Sequence, residues 1–283
     1  MKKLLIICSI LISLFVAPIY ARTEVIFNST QDNGIQHVII SGKGEAGNQL
    51  WTRELYDNVG QMLWIRDLGE HNGRYYYNER GTLICIDPET GNELWRHEGY
   101  NMLIQSLECD KNGYLYLSGS WGQVLYVVSD SGEKIGEISE IDGGQHCEGN
   151  LWVCEDGSVN IEMLNGSAKD RRIIKVNPAA YGLEIPNNTC QVNGWELVAD
   201  LGERAESGQC GDEIYWWYTT SGDILIYGDG DVWSYSQDDI PWKQYLENAT
   251  YFIVGNGVRY MDDALIPDSE TINVFLPCHL KTE

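Results

Sequence analysis

Glycine-bounded blocks of apolar residues recur along the first half of the chain at nearly constant spacing. Gly73-Arg-Tyr-Tyr-Tyr77, Gly113-Tyr-Leu-Tyr-Leu117 and Gly149-Asn-Leu-Trp-Val153 open three units, 40 and then 36 residues apart. Inside them, Gly81-Thr-Leu-Ile-Cys-Ile-Asp87 matches Gly122-Gln-Val-Leu-Tyr-Val-Val128 at an offset of 41, and Gly91 matches Gly132 at the same offset. Short apolar runs bounded in this way read as strands. Thr90-Gly91-Asn92 and Ser131-Gly132-Glu133 lie between such runs, where glycine supplies the positive φ that a tight hairpin needs. Each unit is therefore expected to be a small antiparallel meander. A weaker copy runs from His37-Val-Ile-Ile40 to Gly47-Asn-Gln-Leu-Trp51, which matches Gly91-Asn-Glu-Leu-Trp95 at 44 residues. A period of this size indicates a repeat fold, here of about four units over residues 22–182.

The rhythm stops after Pro178, and Pro186-Asn187-Asn188 provides a linker. Beyond it the segments Ile214-Tyr-Trp-Trp-Tyr218, Gly222–Gly230 and Tyr251–Val258 alternate apolar strands with glycine turns, predicting a second β-module over 183–283. The expected fold is all-β: a small or incomplete β-propeller-like array of about four antiparallel sheets, followed by a β-rich module. Composition agrees with this. Hydrophobic residues make up 43% and charged ones 22%, enough apolar material for a core. The 10 Trp and 17 Tyr beside 4 Phe favour sheets with many half-exposed rings.

The segment Gly81 to Trp95 resembles the blade repeat of β-propellers related to pyrroloquinoline-quinone dehydrogenases, with Asp87, Thr90, Gly91 and Trp95 at the turn-and-tryptophan positions. That resemblance implies blade architecture, and Gly132 is the matching turn glycine of the next unit. The following unit departs from the pattern, with Val128 in place of Asp87 and Gly136 in place of Trp95, so the resemblance does not extend to a quinone. In the second half, Ser207-Gly-Gln-Cys-Gly-Asp212, the Trp strand, the Gly-bounded strand and Pro241-Trp242 resemble the segment that precedes BspA-type bacterial leucine-rich repeats. Ile253-Val-Gly-Asn-Gly-Val258 through Ala264-Leu265 is similar to the first repeat of that family. This implies a cap-like module of a surface protein.

Residues 1–21 combine Lys2 and Lys3, an apolar run from Leu4 to Val16, and a small-residue end at Ala21, the order of a cleavable secretory signal peptide. No other apolar span exists, so no membrane span is expected after its removal. The 42 acidic residues against 19 basic ones give a net charge of -23, which repels phosphate backbones and excludes nucleic acid as a partner. Seven cysteines follow the leader, and in an exported chain that odd number leaves at least one thiol unpaired within the molecule.

Catalytic and metal motifs are missing: there is no G-x-S-x-G, P-loop, H-E-x-x-H or EF-hand loop. His146-Cys147 with Cys154 lacks zinc-type pair spacing, and Asp229 and Asp231 fail the calcium-loop order at Trp233. His37, His71, His97, His146 and His279 show no ligand spacing and are expected at the surface or in turns. The expectation is therefore no catalytic residue, no metal and no cofactor. Trp121, Trp152 and Trp217 are the candidate ligand-stacking positions, since an indole face with a polar N–H suits a sugar ring. Together these features predict a non-catalytic, exported bacterial surface or secreted protein that binds or scaffolds extracellular protein or polysaccharide. Self-association through open sheet edges is part of the expectation. The alternative is an exported enzyme, a reduced quinoprotein or a carbohydrate-active protein, which requires an acid-lined pocket.

Overall fold

The computed structural model describes residues 23–58, 65–100, 104–119, 125–139, 141, 146–164 and 171–282, apart from the side chains of 58, 146–148 and 164. Trp121 and the leader at 1–21 lie outside the described residues. The chain is all-β. Four antiparallel sheets follow one another in sequence: β1 (Glu24–Asp32), β2 (Ile35–Lys43) and β3 (Gln49–Asn58); β4 (Ile65–His71), β5 (Arg74–Glu79), β6 (Thr82–Ile86) and β7 (Glu93–His97); β8 (Ile104–Cys109), β9 (Leu115–Gly119), β10 (Leu125–Val128) and β11 (Lys134–Ile138); β12 (His146–Val153), β13 (Val159–Leu164), β14 (Arg171–Val176) and β15 (Trp195–Leu201). Each is a meander in which neighbours in sequence pair in space. β15 pairs with β14, so the fourth sheet runs past residue 182, the expected end of the repeat array.

The sheets stack, and the apolar pattern of each strand says so. In β6, Leu83 and Cys85 face the third sheet while Ile84 and Ile86 face the first. In β10, Tyr126 and Val128 point back to the second sheet and Leu125 and Val127 forward to the fourth. A strand covered on both faces has no polar side to present, which is why these runs are continuously apolar rather than alternating. Among the described residues the first sheet has a neighbour on one face only: Val38 and Ile40 pack inward, whereas Ile35, Leu50 and Tyr56 stay exposed.

A fixed contact sets the spacing between sheets. Gly91 (φ +69°) and Gly132 (φ +88°) occupy left-handed turns, and each lies under an indole from the sheet before it, Trp51 over Gly91 and Trp95 over Gly132. A Cβ on either glycine would stand within 3 Å of the ring. The repeat position Asp87 holds the first of these turns, its Oδ1 accepting the N–H groups of Glu89 and Thr90. Where the third sheet has Gly136 in place of Trp95, Leu183 fills the space.

The last module contains β16 (Arg204–Gln209), β17 (Ile214–Thr219), β18 (Ile224–Gly228), β19 (Gly230–Asp231), β20 (Tyr251–Val254), β21 (Val258–Tyr260) and β22 (Asn273–Phe275). β16, β17 and β18 are antiparallel, and β20 and β22 then add parallel to β18. Its own core surrounds the fully buried Trp242. Its other face packs on the fourth sheet through Leu225 and Ile253 against Trp152, Ile173 and Leu201. No helix of the described residues is long and apolar enough to cross a membrane.

Candidate metal centre

Of the candidate stacking tryptophans, Trp152 and Trp217 lie among the described residues. Trp152 is 3% exposed, because β12 turns it into the joint with the last module, where its Nε1 donates to the Val254 carbonyl (2.9 Å) and its ring packs on Phe275. It is a core residue, and the expectation of ligand stacking is corrected at this position. Trp217 is half-buried, and the guanidinium groups of Arg171 and Arg204 lie 5.0 and 5.4 Å from its ring centre. The ring is thus already engaged in cation–π contacts. Asp87, Gly91, Trp95 and Gly132 serve the turns and sheet stacking described above.

Chemistry-bearing side chains converge elsewhere. β4 ends at His71 and β8 ends at Glu108-Cys109, so two neighbouring sheets deliver these residues to the same end of the array. The segment after β22 then crosses both strand ends and brings Cys278 and His279 onto them. One ligand atom from each of His71, Glu108, Cys278 and His279 lies within 4.8 Å of the other three. Cys278 Sγ is 3.7 Å from His71 Nδ1 and 3.6 Å from Cys109 Sγ. The group opens on the Cys278 side to a cleft of about 400 Å³ between the β4–β5 turn, the β8–β9 turn and the final segment.

Glu108 is the centre of the arrangement and is fully buried. Its Oε1 accepts from Asn256 Nδ2 (2.6 Å) and its Oε2 accepts from the Cys278 N–H (2.9 Å). Asn256 in turn clasps the fourth sheet: its Oδ1 accepts from the Leu151 N–H and its Nδ2 donates to the Leu151 carbonyl. Burial alone would raise the Glu108 carboxyl, but the contacts with His279, His71 and Cys278 outweigh it and hold the group below the ordinary glutamate range.

His71 is buried, not at the surface as its lack of spacing suggested. Its Nε2 lies 2.9 Å from the Leu68 carbonyl, which calls for a protonated nitrogen there, so in the neutral ring Nδ1 carries the lone pair that faces Cys278. Burial works to lower His279, yet its contacts with Cys278 and Glu108 raise it to about 9. His279 Nδ1 lies 3.3 Å from Glu108 Oε1 without the alignment of a hydrogen bond, and has no hydrogen-bond partner. The Cys109 sulfur and burial push the Cys278 thiol well up, whereas the same sulfur contact lowers Cys109. The side chains of His146 and Cys147 lie outside the described residues.

Sequence reasoning missed this group because its members stand 37, 170 and 1 residues apart along the chain. The adjacent pair Cys278-His279 was the only local signal, and a dipeptide has no spacing to test.

No protein-family model and no curated protein matches the chain. Among solved structures it is similar to hydrazine synthase from Kuenenia stuttgartiensis, at 9% identity over 78% of this chain and 71% of that one, with a TM-score of 0.42. It is also similar to BamB from Moraxella catarrhalis, at 9% identity over 72% and 71%, with a TM-score of 0.37. A leucine-rich repeat protein from Eubacterium ventriosum matches at 20% identity over 24% of this chain, with a TM-score of 0.23; the chain spans about a fifth (19%) of that protein's length.

Proposed function

We propose that the chain is a non-catalytic, exported bacterial protein, secreted or held at the cell surface, that binds or scaffolds through its β-repeat surfaces, and that its partner is an extracellular protein. One observation carries this reading. The first sheet has three strands where the other three of the array have four. Trp51 corresponds to Trp95 and so aligns β3 with β7, β2 with β6 and β1 with β5; among the described residues nothing in the first sheet stands where β4 stands in the second. Among the described residues β1 therefore has β2 on one side and no strand on the other. An open edge nine residues long can accept an extended segment of a partner, with backbone hydrogen bonds giving affinity.

Exposed Ile35 on β2 and exposed Leu50 and Tyr56 on β3, with His37 stacked on Tyr56 at 4.3 Å, make the outward face of the same sheet partly apolar. Burial of Trp152 and the arginine cover on Trp217 turn the choice from polysaccharide toward protein. Secretion rests on the leader at 1–21. The finer reading, quinone-dehydrogenase-type blades followed by a BspA-type cap, is supported by the Asp87 turn, by indoles seated on turn glycines, and by the Gly255-Asn256-Gly257 turn that docks the cap.

The test is capture of extracellular proteins of the producing organism on the mature chain, beside a glycan array. Both are repeated with an Ile26→Lys/Asn28→Lys variant, whose added charges stand on the outward face of β1. Protein capture that the variant loses supports the reading. Glycan binding that the variant keeps, or protein capture unchanged by it, contradicts it.

A further inference from the structure

We propose that His71 Nδ1, a Glu108 carboxylate oxygen, Cys278 Sγ and His279 Nδ1 bind a zinc ion that fastens the final segment of the chain to the ends of β4 and β8. Three independent features of the group point to a cation. The first is distance. Zinc bonds of about 2.0–2.1 Å to nitrogen or oxygen and about 2.3 Å to sulfur give tetrahedral edges of roughly 3.3–3.7 Å. The Cys278–His71 separation is 3.7 Å and the His279–Glu108 separation 3.3 Å, while all four atoms fit within 4.8 Å.

The second is orientation. A histidine ligand characteristically donates its remote N–H to a carbonyl or carboxylate, and His71 does so to Leu68 at 2.9 Å, leaving Nδ1 free to face the group. His279 Nδ1 is buried and lacks a hydrogen-bond partner although a carboxylate is beside it, the arrangement expected when two acceptor atoms converge on a common ion. Asn256 and the Cys278 N–H in turn steady the Glu108 carboxylate that would be the oxygen ligand.

The third is charge and softness. One thiolate and one carboxylate balance a dication, so the loaded site is neutral, as a largely buried site must be to avoid a large desolvation cost. A thiolate with two imidazoles selects zinc over calcium or magnesium, which take oxygen ligands. When zinc enters, the Cys278 Sγ–H bond breaks and the sulfur lone pair forms the Zn–S bond; a charged His279 likewise gives up its Nδ1 proton as that lone pair forms the Zn–N bond, and the protons leave to solvent through the cleft on the Cys278 side. No electron is transferred. Cys109 is outside the ligand set; its sulfur, 3.6 Å from Cys278, is instead the partner for a competing disulfide.

The experiment uses the mature chain purified without alkylation, and a parallel sample alkylated at lysis only to record whether Cys109 and Cys278 are joined. Zinc content is measured first. The reduced, chelator-stripped protein is then titrated with Zn²⁺ against a chromophoric chelator, and with Co²⁺ as a spectroscopic probe. The expected results are one zinc per chain, a thiolate-to-cobalt charge-transfer band with tetrahedral d–d bands, and a melting temperature raised by zinc. His71→Gln and His279→Gln should each weaken zinc at least tenfold, and the exposed Cys278→Ser should abolish the charge-transfer band. Cys109→Ser, which removes the competing disulfide but no ligand, should retain both band and affinity. The proposal is overturned if the isolated chain carries a Cys109–Cys278 disulfide and no zinc. It is also overturned if cobalt binds without a thiolate band, or if zinc affinity is unchanged in a folded His71→Gln/Cys278→Ser variant, as judged by its circular dichroism.

Discussion

Gly47, Gly91 and Trp51 together allow the stacking contact to be separated from the turn that carries it. Gly47 and Gly91 have nearly the same left-handed backbone, with φ of +74° and +69°. A Cβ at Gly47 would meet nothing within 4 Å, whereas one at Gly91 would stand 2.5 Å from the Trp51 ring. Gly47→Ala should therefore cost only the left-handed strain, about 1–2 kcal/mol. Gly91→Ala adds overpacking of about 1–3 kcal/mol, for a total of about 2–5 kcal/mol. Removing the indole should remove that addition: in a Trp51→Ala background, Gly91→Ala should cost no more than Gly47→Ala. The assay is urea unfolding followed by fluorescence and by circular dichroism, with coincident transitions required before free energies are compared. A double-mutant cycle then gives a coupling of about 1–3 kcal/mol between positions 51 and 91. Equal costs for the two glycines in the parent chain, or a coupling near zero, would refute the claim that the indole-on-glycine contact sets the spacing of the sheets.

Other positions give sharp expectations. Trp152→Ala should destabilise by about 3–5 kcal/mol, measured by urea unfolding, because it empties the joint between the fourth sheet and the last module; a change in ligand binding with unaltered stability would return Trp152 to the surface. Asn256→Ala leaves both backbone groups of Leu151 without their side-chain partners and takes a donor from Glu108, so a loss of about 2–4 kcal/mol is expected in the same assay. Burial raises the Asp156 carboxyl, but Lys175 Nζ at 2.8 Å and the Ser158 contacts outweigh it and hold the group below its ordinary value. A depressed carboxyl contributes stability above the ordinary aspartate range near about 4 and loses it as pH falls through the folded value. The pair is partly exposed, so Lys175→Met should flatten the acid limb of a stability-against-pH curve by less than about 1 kcal/mol.

The stacked-sheet plan was legible in the sequence because it rests on local signals. Gly91 and Gly132 mark turns that need positive φ, and Leu83–Ile86 and Leu125–Val128 are apolar on every residue because sheets cover both their faces. The end of the fourth sheet was not legible: β15 has the alternating character of a one-sided strand, and its pairing with β14 crosses the loop after Pro178. Trp152 and Trp242 show the same difficulty from the other side. An indole's place in a strand is readable, but which face of that strand is covered depends on a module further along the chain. The candidate metal centre lay out of reach altogether. Its four residues come from two strand ends and a terminal segment, and only the stacking of the second and third sheets beneath the last module brings them together.

Hydrogen exchange along β1 and β2 of the monomeric mature chain tests the central claim most directly, because an open three-stranded first sheet gives the two strands different fates. β2 has a neighbour on each side and should exchange slowly. β1 should exchange its outward amides quickly, and should gain protection only when a captured partner is present. A β1 as strongly protected as β2 in the free monomer would contradict the open edge on which the account depends.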